Sequence, residues 1–395
     1  MNLLIYAHRW APETGGVETI TAALARGIST GAGGWKVTLA TRTPAGEMND
    51  LELPFRVVRR PKIGSLAQLV KGADLVHLAG PALLPLILSI VHRKPVVIEH
   101  HGFQTICPNG QLLLATTRMP CPGSGYFMAG RHRECLKCNR GEGTWTSFRL
   151  WALTFVRRWL SGRANANIVP TAWLGTLLRL PRMVTVHHGL VQIEERRSGR
   201  SEVRATDDRS SPTVTFAFNG RLVTTKGAQT LLEAARQLKS RGLAFQLRFV
   251  GDGADRSRLE TLAGEYRLDE SVRFLGYLSG ASLETALQAA DAILMPSLGG
   301  EVFGLVALEN MMRGKLVVVS DIGALAEVVG DAGLTCPTGD VDAWASCIER
   351  LIRNPELCVE LGRRARERAR KYFSIQQMVA GHMGVYESVL RKRDE

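Results

Sequence analysis

The hydrophobic positions in the first half of the chain form short apolar runs that alternate with a segment of helical periodicity. Residues 16–28 place apolar side chains at helical spacing. The short runs predict buried strands and cover residues 3–7, 37–40, 56–58, 74–78 and 95–99. Because strands that alternate with helices are typical of parallel sheets, this half predicts an α/β domain.

The second half of the chain repeats this alternation. Its strand candidates cover residues 213–219, 245–250, 272–275, 292–295, 316–319 and 334–336. Its helix candidates cover residues 227–238, 258–265, 283–290, 356–371 and 373–391. Residues 192–212 are polar and charged without an apolar period, so they predict a linker.

The alternation predicts two doubly wound parallel-sheet domains that face each other across a cleft. The expected N-terminal domain covers residues 1–191 and contains a Cys-rich insertion at 107–143. The second domain follows the linker and covers residues 213–372, and the helix at 373–395 is expected to cross back to the first domain.

The sequence does not predict a membrane-spanning protein. Hydrophobic residues make up 45% of the chain, but no apolar run approaches the roughly 20 residues of a membrane span. The N-terminus enters a strand pattern at once and lacks the basic start of a secretory signal. We therefore expect a cytoplasmic protein, with peripheral binding to the cytoplasmic face of the membrane as an extension of that expectation.

The positive charge of the chain is concentrated in its first half. The net charge is +13, with +14 in residues 1–200 and −1 in residues 201–395. Such a field attracts phosphorylated substrates or anionic lipid headgroups. Simple solubility charge is the alternative explanation. No signature of an RNA-binding module is present, so no nucleic acid partner is expected.

Two acidic residues mark the most informative segment, Glu301 to Glu309. An apolar run and a Gly-rich turn precede this segment, in the order of a strand, a loop and a helix start. The N-terminus of a helix presents unpaired N–H groups and a positive dipole, which suit a phosphate. Eight residues make a little over two helical turns, so both carboxylates are expected within roughly 80° of one helix face. The pattern indicates a nucleotide-sugar site.

A second cluster of candidate residues lies where another strand ends. Arg221 follows the strand candidate at 213–219, and Lys226 precedes the next helix. The carboxyl ends of strands in open α/β sheets are the usual ligand sites. A guanidinium and an ammonium group both suit a diphosphate that gains negative charge as it leaves.

The order of these motifs resembles that of the retaining family 4 glycosyltransferases, which have the GT-B fold of two Rossmann-like domains. The resemblance covers residues 213–372, and Val302 and Val306 depart from the family pattern. The matching motifs are Gly220-Arg221-Leu222, Lys226-Gly227, Gly251-Asp252-Gly253, Phe274-Leu275-Gly276 and Glu301-x-Phe303-Gly304-Leu305-x-x-Leu308-Glu309.

The resemblance implies roles for individual residues. Glu301 would face the donor sugar, and Glu309 would hold the ribose. The implied donor-binding set is Gly15, Gly16, Gly220, Arg221, Lys226, Gly251, Gly253, Leu275, Phe303, Gly304, Leu305 and Glu309. The implied catalytic set is His101, Arg221, Lys226 and Glu301. The family needs no metal or other cofactor for the transfer.

The first domain resembles the family more loosely. Gly15 and Gly16 match its glycine loop after the first strand, and His101 matches its histidine at a strand end. By resemblance, His101 would contact the reacting sugar and stabilise charge in the transition state. A histidine in the core at a strand end is the alternative, and His100 is the second candidate.

Four of the seven cysteines, Cys107, Cys121, Cys135 and Cys138, lie in the insertion. The last two form a Cys-x-x-Cys motif, which chelates a single metal well, so a structural Zn site is the first interpretation. Free thiols, a disulfide or iron–sulfur chemistry are the alternatives. His132 could replace one of the ligands.

The segment 148–160 places aromatic residues on one face of a predicted helix and arginines on another. Such a helix suits a membrane interface, and a core helix is the alternative.

The main functional hypothesis is a retaining transfer of a hexose from a UDP- or GDP-sugar to a hydroxyl of a glycan or lipid-linked glycan. This places the protein in cell-surface polysaccharide or glycolipid synthesis. The alternatives are a nucleotide-sugar epimerase or hydrolase on the same fold, and a non-catalytic basic protein that binds lipid or RNA.

Overall fold

The computed structural model describes residues 1–12, 15–31, 33–46, 49–115, 120–123, 125–139, 141, 143–191 and 213–394. The expected linker at 192–212 lies outside these residues. The chain divides into two compact units. Unit 1 comprises Met1–Leu190 together with Phe373–Glu395, and unit 2 comprises Val191–Tyr372.

Unit 1 is built on a seven-stranded sheet in the order β3-β2-β1-β4-β5-β6-β7. Every pairing in this sheet is parallel. The strands are β1 Asn2–Ala7, β2 Lys36–Thr41, β3 Arg56–Arg59, β4 Leu75–Ala79, β5 Val96–Glu99, β6 Ala166–Val169 and β7 Met183–Thr185. The helices that connect them are α1 Gly16–Thr30, α2 Ile63–Gly72, α3 Leu83–Val91, α4 His132–Cys138, α5 Thr144–Ser161 and α6 Ala172–Leu178.

Unit 2 is built on a six-stranded parallel sheet in the order β10-β9-β8-β11-β12-β13. Its strands are β8 Val214–Asn219, β9 Phe245–Val250, β10 Val272–Gly276, β11 Ala292–Met295, β12 Leu316–Ser320 and β13 Leu334–Cys336. Its helices are α7 Ala228–Ser240, α8 Arg256–Glu265, α9 Gly280–Gln288, α10 Leu305–Met312, α11 Leu325–Val329, α12 Val341–Arg353 and α13 Pro355–Tyr372. The last helix, α14 Ile375–Asp394, belongs to unit 1 and packs against α1.

Both sheets have the strand order of doubly wound folds, because the connections run in opposite directions from a central strand pair. In unit 1 that pair is β1 and β4, and in unit 2 it is β8 and β11. The central strands of unit 2 are buried on both faces, since β11 is buried throughout and β8 is buried up to its last residue. The predicted fold class, two doubly wound α/β domains with parallel sheets, is confirmed.

The helix α12 has no counterpart among the sequence predictions. Its apolar side chains recur at helical spacing, so that Trp344, Ile348 and Leu351 are buried against the rest of unit 2. Asp340 caps its N-terminus by accepting a hydrogen bond from the N–H of Ala343. Among the described residues, no helix combines the length and the hydropathy that a membrane crossing requires.

Backbone segments approach each other closely at the carboxyl edge of the second sheet, where only glycine fits. Gly227 has a φ of +69°, and a Cβ at this position would lie 1.8 Å from the carbonyl oxygen of Pro296. Gly242 has a φ of +72° in the same unit, but open space surrounds it. A comparison of alanine substitutions at these two glycines therefore separates the free-energy cost of backbone strain from that of steric overlap.

We predict that Gly227→Ala destabilises the protein more than Gly242→Ala does. The left-handed conformation alone costs an alanine about 1 kcal/mol, and the overlap with Pro296 adds about 2 kcal/mol for Gly227→Ala. Urea unfolding followed by circular dichroism measures both variants. Equal losses for the two would show that the carboxyl edge of the sheet relaxes freely around an added methyl group.

Candidate active site

The candidate site in unit 2 lies where the connections of the sheet diverge. Strands β8 and β11 are neighbours, and their chains leave the carboxyl edge toward different helices. This divergence leaves a crevice at the carboxyl ends, the usual ligand site of open α/β sheets. Arg221 follows β8, Gly251 follows β9 and Glu301 follows β11. Three predicted site segments therefore come together at one edge of the sheet.

Backbone contacts hold these loops together. The carbonyl of Thr225 accepts hydrogen bonds from the N–H groups of Leu298, at 2.8 Å, and Gly299, at 3.0 Å. The carbonyl of Glu301 accepts a hydrogen bond of 2.8 Å from the N–H of Ala324. A Cβ at Gly323 would lie 2.5 Å from that same carbonyl oxygen. The loop that carries Glu301 is thus fixed by its neighbours on two sides.

An ion pair between Lys226 and Glu301 crosses this edge. The ammonium group of Lys226 contacts Oε1 of Glu301, and the hydroxyl of Ser297 donates to the same oxygen at 3.2 Å. Both charged side chains are partly exposed, at 26% and 19%. Arg221 is exposed, and within the described part of the chain its guanidinium makes no hydrogen bond or ion pair. The edge therefore offers two cations that remain accessible to a ligand.

The helix α10 begins beside this pair without a side-chain cap. Gly304 is its N-cap residue, has a φ of +94° and lets Leu325 pack where a Cβ would otherwise lie. Uncapped N–H groups at a helix start can bind an anion. Glu309 lies in the second turn of α10, and burial raises the pKa of its carboxyl group. No hydrogen bond joins that carboxyl group to another described residue.

The expectation that Glu301 and Glu309 share one helix face is wrong. Helix α10 begins at Leu305, so Glu301 lies in the preceding loop and the helical angle between the two residues has no meaning. Gly323 and the ion pair with Lys226 fix the position of Glu301 instead. The glycine turn ends only at Gly304, which delays the helix start by about one turn.

The other predicted residues of unit 2 lie around this edge, where the glycines allow backbone segments to pack closely. Gly220 and Gly251 touch through their backbones, since a Cβ at Gly251 would lie 2.0 Å from the Gly220 carbonyl oxygen. Gly253 similarly packs against the backbone of Leu222. Leu275 lies in β10, and Phe303 is buried beside the start of α10.

The predicted residues of unit 1 lie at the carboxyl edge of its own sheet. Gly15 caps α1 and Gly16 begins it, in the connection that follows β1. His101 follows β5 by two residues, and its side chain is only 6% exposed. Its imidazole faces inward, with Nε2 3.5 Å from Oε2 of Glu99. Its ring stacks on that of His188, with centroids 5.3 Å apart.

His100, the second candidate, is a neutral core histidine. Asn167 donates its side-chain amide protons to the carbonyls of Ser161 and Pro181, so its Oδ1 is an acceptor. Nε2 of His100 lies 2.8 Å from that oxygen and therefore carries the ring proton. Burial lowers the pKa of His100 to about 4. The imidazole of His100 is therefore part of the core of unit 1.

Glu99 lies at the centre of a buried cluster of histidines that the sequence analysis missed. The ring nitrogens around its carboxylate belong to His77, His101, His188 and His382. Burial opposes ionisation of Glu99, but the charges of His101 and His382 hold the pKa of its carboxyl group well below its usual value.

The histidines of the cluster respond differently to this environment. Burial lowers the pKa of His188 to about 4 and also lowers the pKa of His77. Burial acts in the same direction on His382, but Glu99 overrides it and raises the pKa of that ring. One signal in the sequence could have revealed the cluster, because His77 and Glu99 interrupt otherwise apolar strands.

The expectation of a structural Zn site at the four cysteines of the insertion is not supported. All seven cysteines lie among the described residues, and no disulfide joins any two of them. Cys138 accepts a hydrogen bond from the N–H of Ala115, and Cys121 accepts one from the N–H of Tyr126. Cys107 donates to Asn109, and burial raises the pKa of Cys135 to about 12. Each of the hydrogen-bonded thiols thus has a local partner.

Metal-ligand spacing occurs elsewhere. Across the described residues, one group of three or more His, Cys, Asp or Glu side chains has all its ligand atoms within 4.8 Å of one another. That group is Glu99, His101 and His188.

Comparison with known proteins links unit 2 to one family. Residues 200–368 match the family model of glycosyl transferases group 1. The chain is 34% identical over 212 residues to a D-inositol 3-phosphate glycosyltransferase of Saccharomonospora viridis, covering 51% of this chain and 49% of that protein. It is 36% identical over 167 residues to a phosphatidyl-myo-inositol mannosyltransferase of Mycolicibacterium smegmatis, covering 42% of each. The matched region spans about half the length of these curated relatives or less.

Solved structures share the fold over nearly the whole chain. Anabaena HepE in complex with UDP matches with a TM-score of 0.74 at 18% identity, covering 98% of this chain and 100% of that one. The sucrose-phosphate synthase of Thermosynechococcus elongatus matches with a TM-score of 0.72 at 21% identity and covers 99% of each chain. At such identities the likeness shows the GT-B fold alone. The family match thus concerns residues 200–368, which are similar to the glycosyl transferases group 1, and the solved structures add the fold of the whole chain.

Proposed function

We propose that the protein is a retaining glycosyltransferase that moves a hexose from a UDP- or GDP-sugar to a hydroxyl of a glycan or lipid-linked glycan. One observation carries this proposal. Lys226 and Glu301 form an ion pair beside the uncapped start of α10, and Arg221 lies exposed at the same edge of the sheet. Two cations and a helix N-terminus suit a diphosphate. The UDP bound to HepE, which shares the fold, supports this donor class.

The parts of the donor would bind to different groups at this edge. Arg221 and the amides of Gly304 and Leu305 would bind the diphosphate. Glu309 would accept hydrogen bonds from the ribose hydroxyls, since its carboxyl group has no hydrogen-bond partner among the described residues. Glu301 would orient both the donor sugar and the ammonium group of Lys226, which it already contacts.

The chemistry follows from where charge develops. As the bond between sugar and diphosphate breaks, negative charge grows on the leaving phosphate, and the cations Arg221 and Lys226 would stabilise it. Retention follows if the acceptor attacks the face from which the diphosphate departs and the phosphate takes the proton of the acceptor hydroxyl. These steps use only residues of this chain. The role that the resemblance implies for His101, a contact with the transferring sugar, stays a prediction.

The acceptor side of the proposal rests on the surface of unit 1. Helices α3 and α5 are neighbours, and both expose large apolar side chains. Trp145 is 74% exposed and Trp159 is 58% exposed. The exposed arginines Arg149 and Arg163 lie on the same helix or directly after it. Exposed tryptophans next to arginines suit an anionic membrane surface, where a lipid-linked acceptor would be found.

A second enzyme class remains distinguishable by its products. A nucleotide-sugar epimerase or hydrolase would convert the donor without any acceptor. Product analysis after incubation with UDP- and GDP-sugars alone separates this class from a transferase, which leaves most of the donor intact.

We predict that Glu309→Gln weakens nucleotide binding at least about tenfold. The neutral amide keeps the size of the side chain but loses the charged acceptor for two ribose hydroxyls, and such charge-assisted bonds contribute about 1.5–3 kcal/mol. Isothermal titration calorimetry with UDP and GDP measures the effect. Glu265→Gln is the matched control, because Glu265 is an exposed glutamate of the same unit. Unchanged affinity in Glu309→Gln would remove Glu309 from the donor site.

We predict that Lys226→Met lowers kcat by roughly 10²–10³, since the loss of one preorganised group that stabilises developing charge has an effect of this size. The measurement is turnover of the nucleotide-sugar that binds. Lys71→Met, at an exposed lysine of unit 1, serves as the control. A kcat within a factor of two or so of the native value would contradict the proposed role of the ammonium group.

We predict that the double variant Trp145→Ser/Trp159→Ser binds anionic vesicles about tenfold more weakly than the native protein. The measurement is co-sedimentation with vesicles of phosphatidylcholine and phosphatidylglycerol. Tyr277→Ser is the control, because Tyr277 is an exposed aromatic residue of unit 2. Equal sedimentation of native and double-variant protein would exclude this surface as the membrane contact.

A further inference from the structure

The carboxylate of Glu99 is surrounded by imidazole nitrogens in the interior of unit 1. It is only 1% exposed, and four Nε2 atoms approach its two oxygens. The distances are 3.3 Å from His77, 3.5 Å from His101 and 3.4 Å from His382 to Oε2, and 3.3 Å from His188 to Oε1. A buried carboxylate normally accepts short hydrogen bonds from its neighbours.

The four contacts around Glu99 are long for charge-assisted hydrogen bonds. Charge-assisted N–H···O bonds measure about 2.7–2.9 Å, and all four contacts are longer. Both oxygens of Glu99 are buried, and neither meets the geometric criteria of a hydrogen bond with another described residue. Ligand atoms that share one tetrahedral zinc ion at bond lengths near 2.0–2.2 Å lie about 3.3 Å apart. The contacts therefore have the spacing of ligands around a shared ion.

We infer that Glu99, His101 and His188 bind a divalent transition-metal ion of the zinc class. Their ligand atoms all lie within 4.8 Å of one another, and a set of two imidazoles and one carboxylate suits zinc, iron or manganese. The three residues come from the ends of β5 and β7, so an ion would join two connections of the sheet of unit 1. This site differs from the one expected at the cysteines.

Two further histidines are held in orientations that support the site. Nδ1 of His382 lies 2.8 Å from the carbonyl of Met378, which can only accept, so Nδ1 carries a proton. The hydroxyl of Tyr386 lies 2.9 Å from Nδ1 of His77. Both rings therefore present Nε2 to Glu99 in fixed positions.

The buried carboxylate needs positive charge nearby. A metal ion would supply this positive charge directly. Binding of the ion to Nε2 of His101 would place the proton of that ring on Nδ1. Nδ1 of His101 is buried and has no hydrogen-bond partner among the described residues. The inference does not depend on glycosyl transfer, because the ion can be measured directly.

The experiment is elemental analysis of the purified native protein, expressed without a polyhistidine tag and dialysed against metal-free buffer. The inference predicts roughly one zinc, iron or manganese ion per chain. His188→Gln and Glu99→Gln should reduce this content to roughly a tenth or less. His187→Gln should leave it unchanged, because His187 is the adjacent histidine and instead contacts the carbonyl of Pro170. Circular dichroism verifies that each variant is folded.

A second measurement keeps the test valid if the variants do not fold. Chelator-treated native protein is titrated with Zn²⁺ and with Co²⁺, and its melting temperature and absorption spectrum are recorded. The inference predicts a higher melting temperature and a cobalt spectrum without the intense thiolate charge-transfer band. Absence of bound metal together with an unchanged melting temperature would overturn the inference. So would a thiolate-type cobalt spectrum, which would assign the ion to the cysteines of the insertion.

Discussion

The candidate donor site depends on the close approach of backbone segments at the carboxyl edge of the second sheet. Strands β8 and β11 lie side by side while their connections diverge, which opens a crevice between them. Gly227 lets the first connection pass against Pro296, and Gly323 lets the loop after β12 lie against Glu301. A methyl group at either glycine would separate segments that carry the charged side chains. The positions of Lys226, Arg221 and Glu301 thus follow from backbone packing more than from their own contacts.

The site combines a fixed frame with accessible charges. The ion pair of Lys226 and Glu301 is partly exposed, so solvent screens it and it contributes little to stability. We therefore infer that the ion pair serves function, since it holds the ammonium group of Lys226 beside the start of α10 before a ligand binds. An exposed surface pair of this kind can exchange partners readily. A diphosphate can then share Lys226 without the full cost of breaking a buried pair.

Much of this arrangement could be predicted from the sequence, and the exceptions have physical reasons. The order of strands and helices indicated the fold, because period and turn residues report local structure directly. The prediction that Glu301 and Glu309 share one helix face was wrong, because the loop before α10 continues to Gly304. The tertiary contact with Gly323 holds Glu301 in that loop. The metal interpretation of the cysteines followed sequence spacing alone, and it is not supported, since no three of the described thiols lie within 4.8 Å of one another.

The sequence offers only a partial signal of the cluster around Glu99, namely that His77 and Glu99 interrupt apolar strands. Its members lie in β4, at the end of β5, after β7 and in α14, so residues as distant as His77 and His382 meet only in the folded unit. Burying a carboxylate is costly unless compensating charge lies close to it. The charges of His101 and His382 provide such compensation for Glu99 in the core of unit 1.

Hydrogen–deuterium exchange with and without UDP and GDP tests the central claim most directly, since it locates the donor site without a known acceptor. We expect one of these nucleotides to slow exchange in peptides that cover residues 221–227 and 303–309. Protection confined to other segments, or binding without protection at the start of α10, would contradict the proposed donor site.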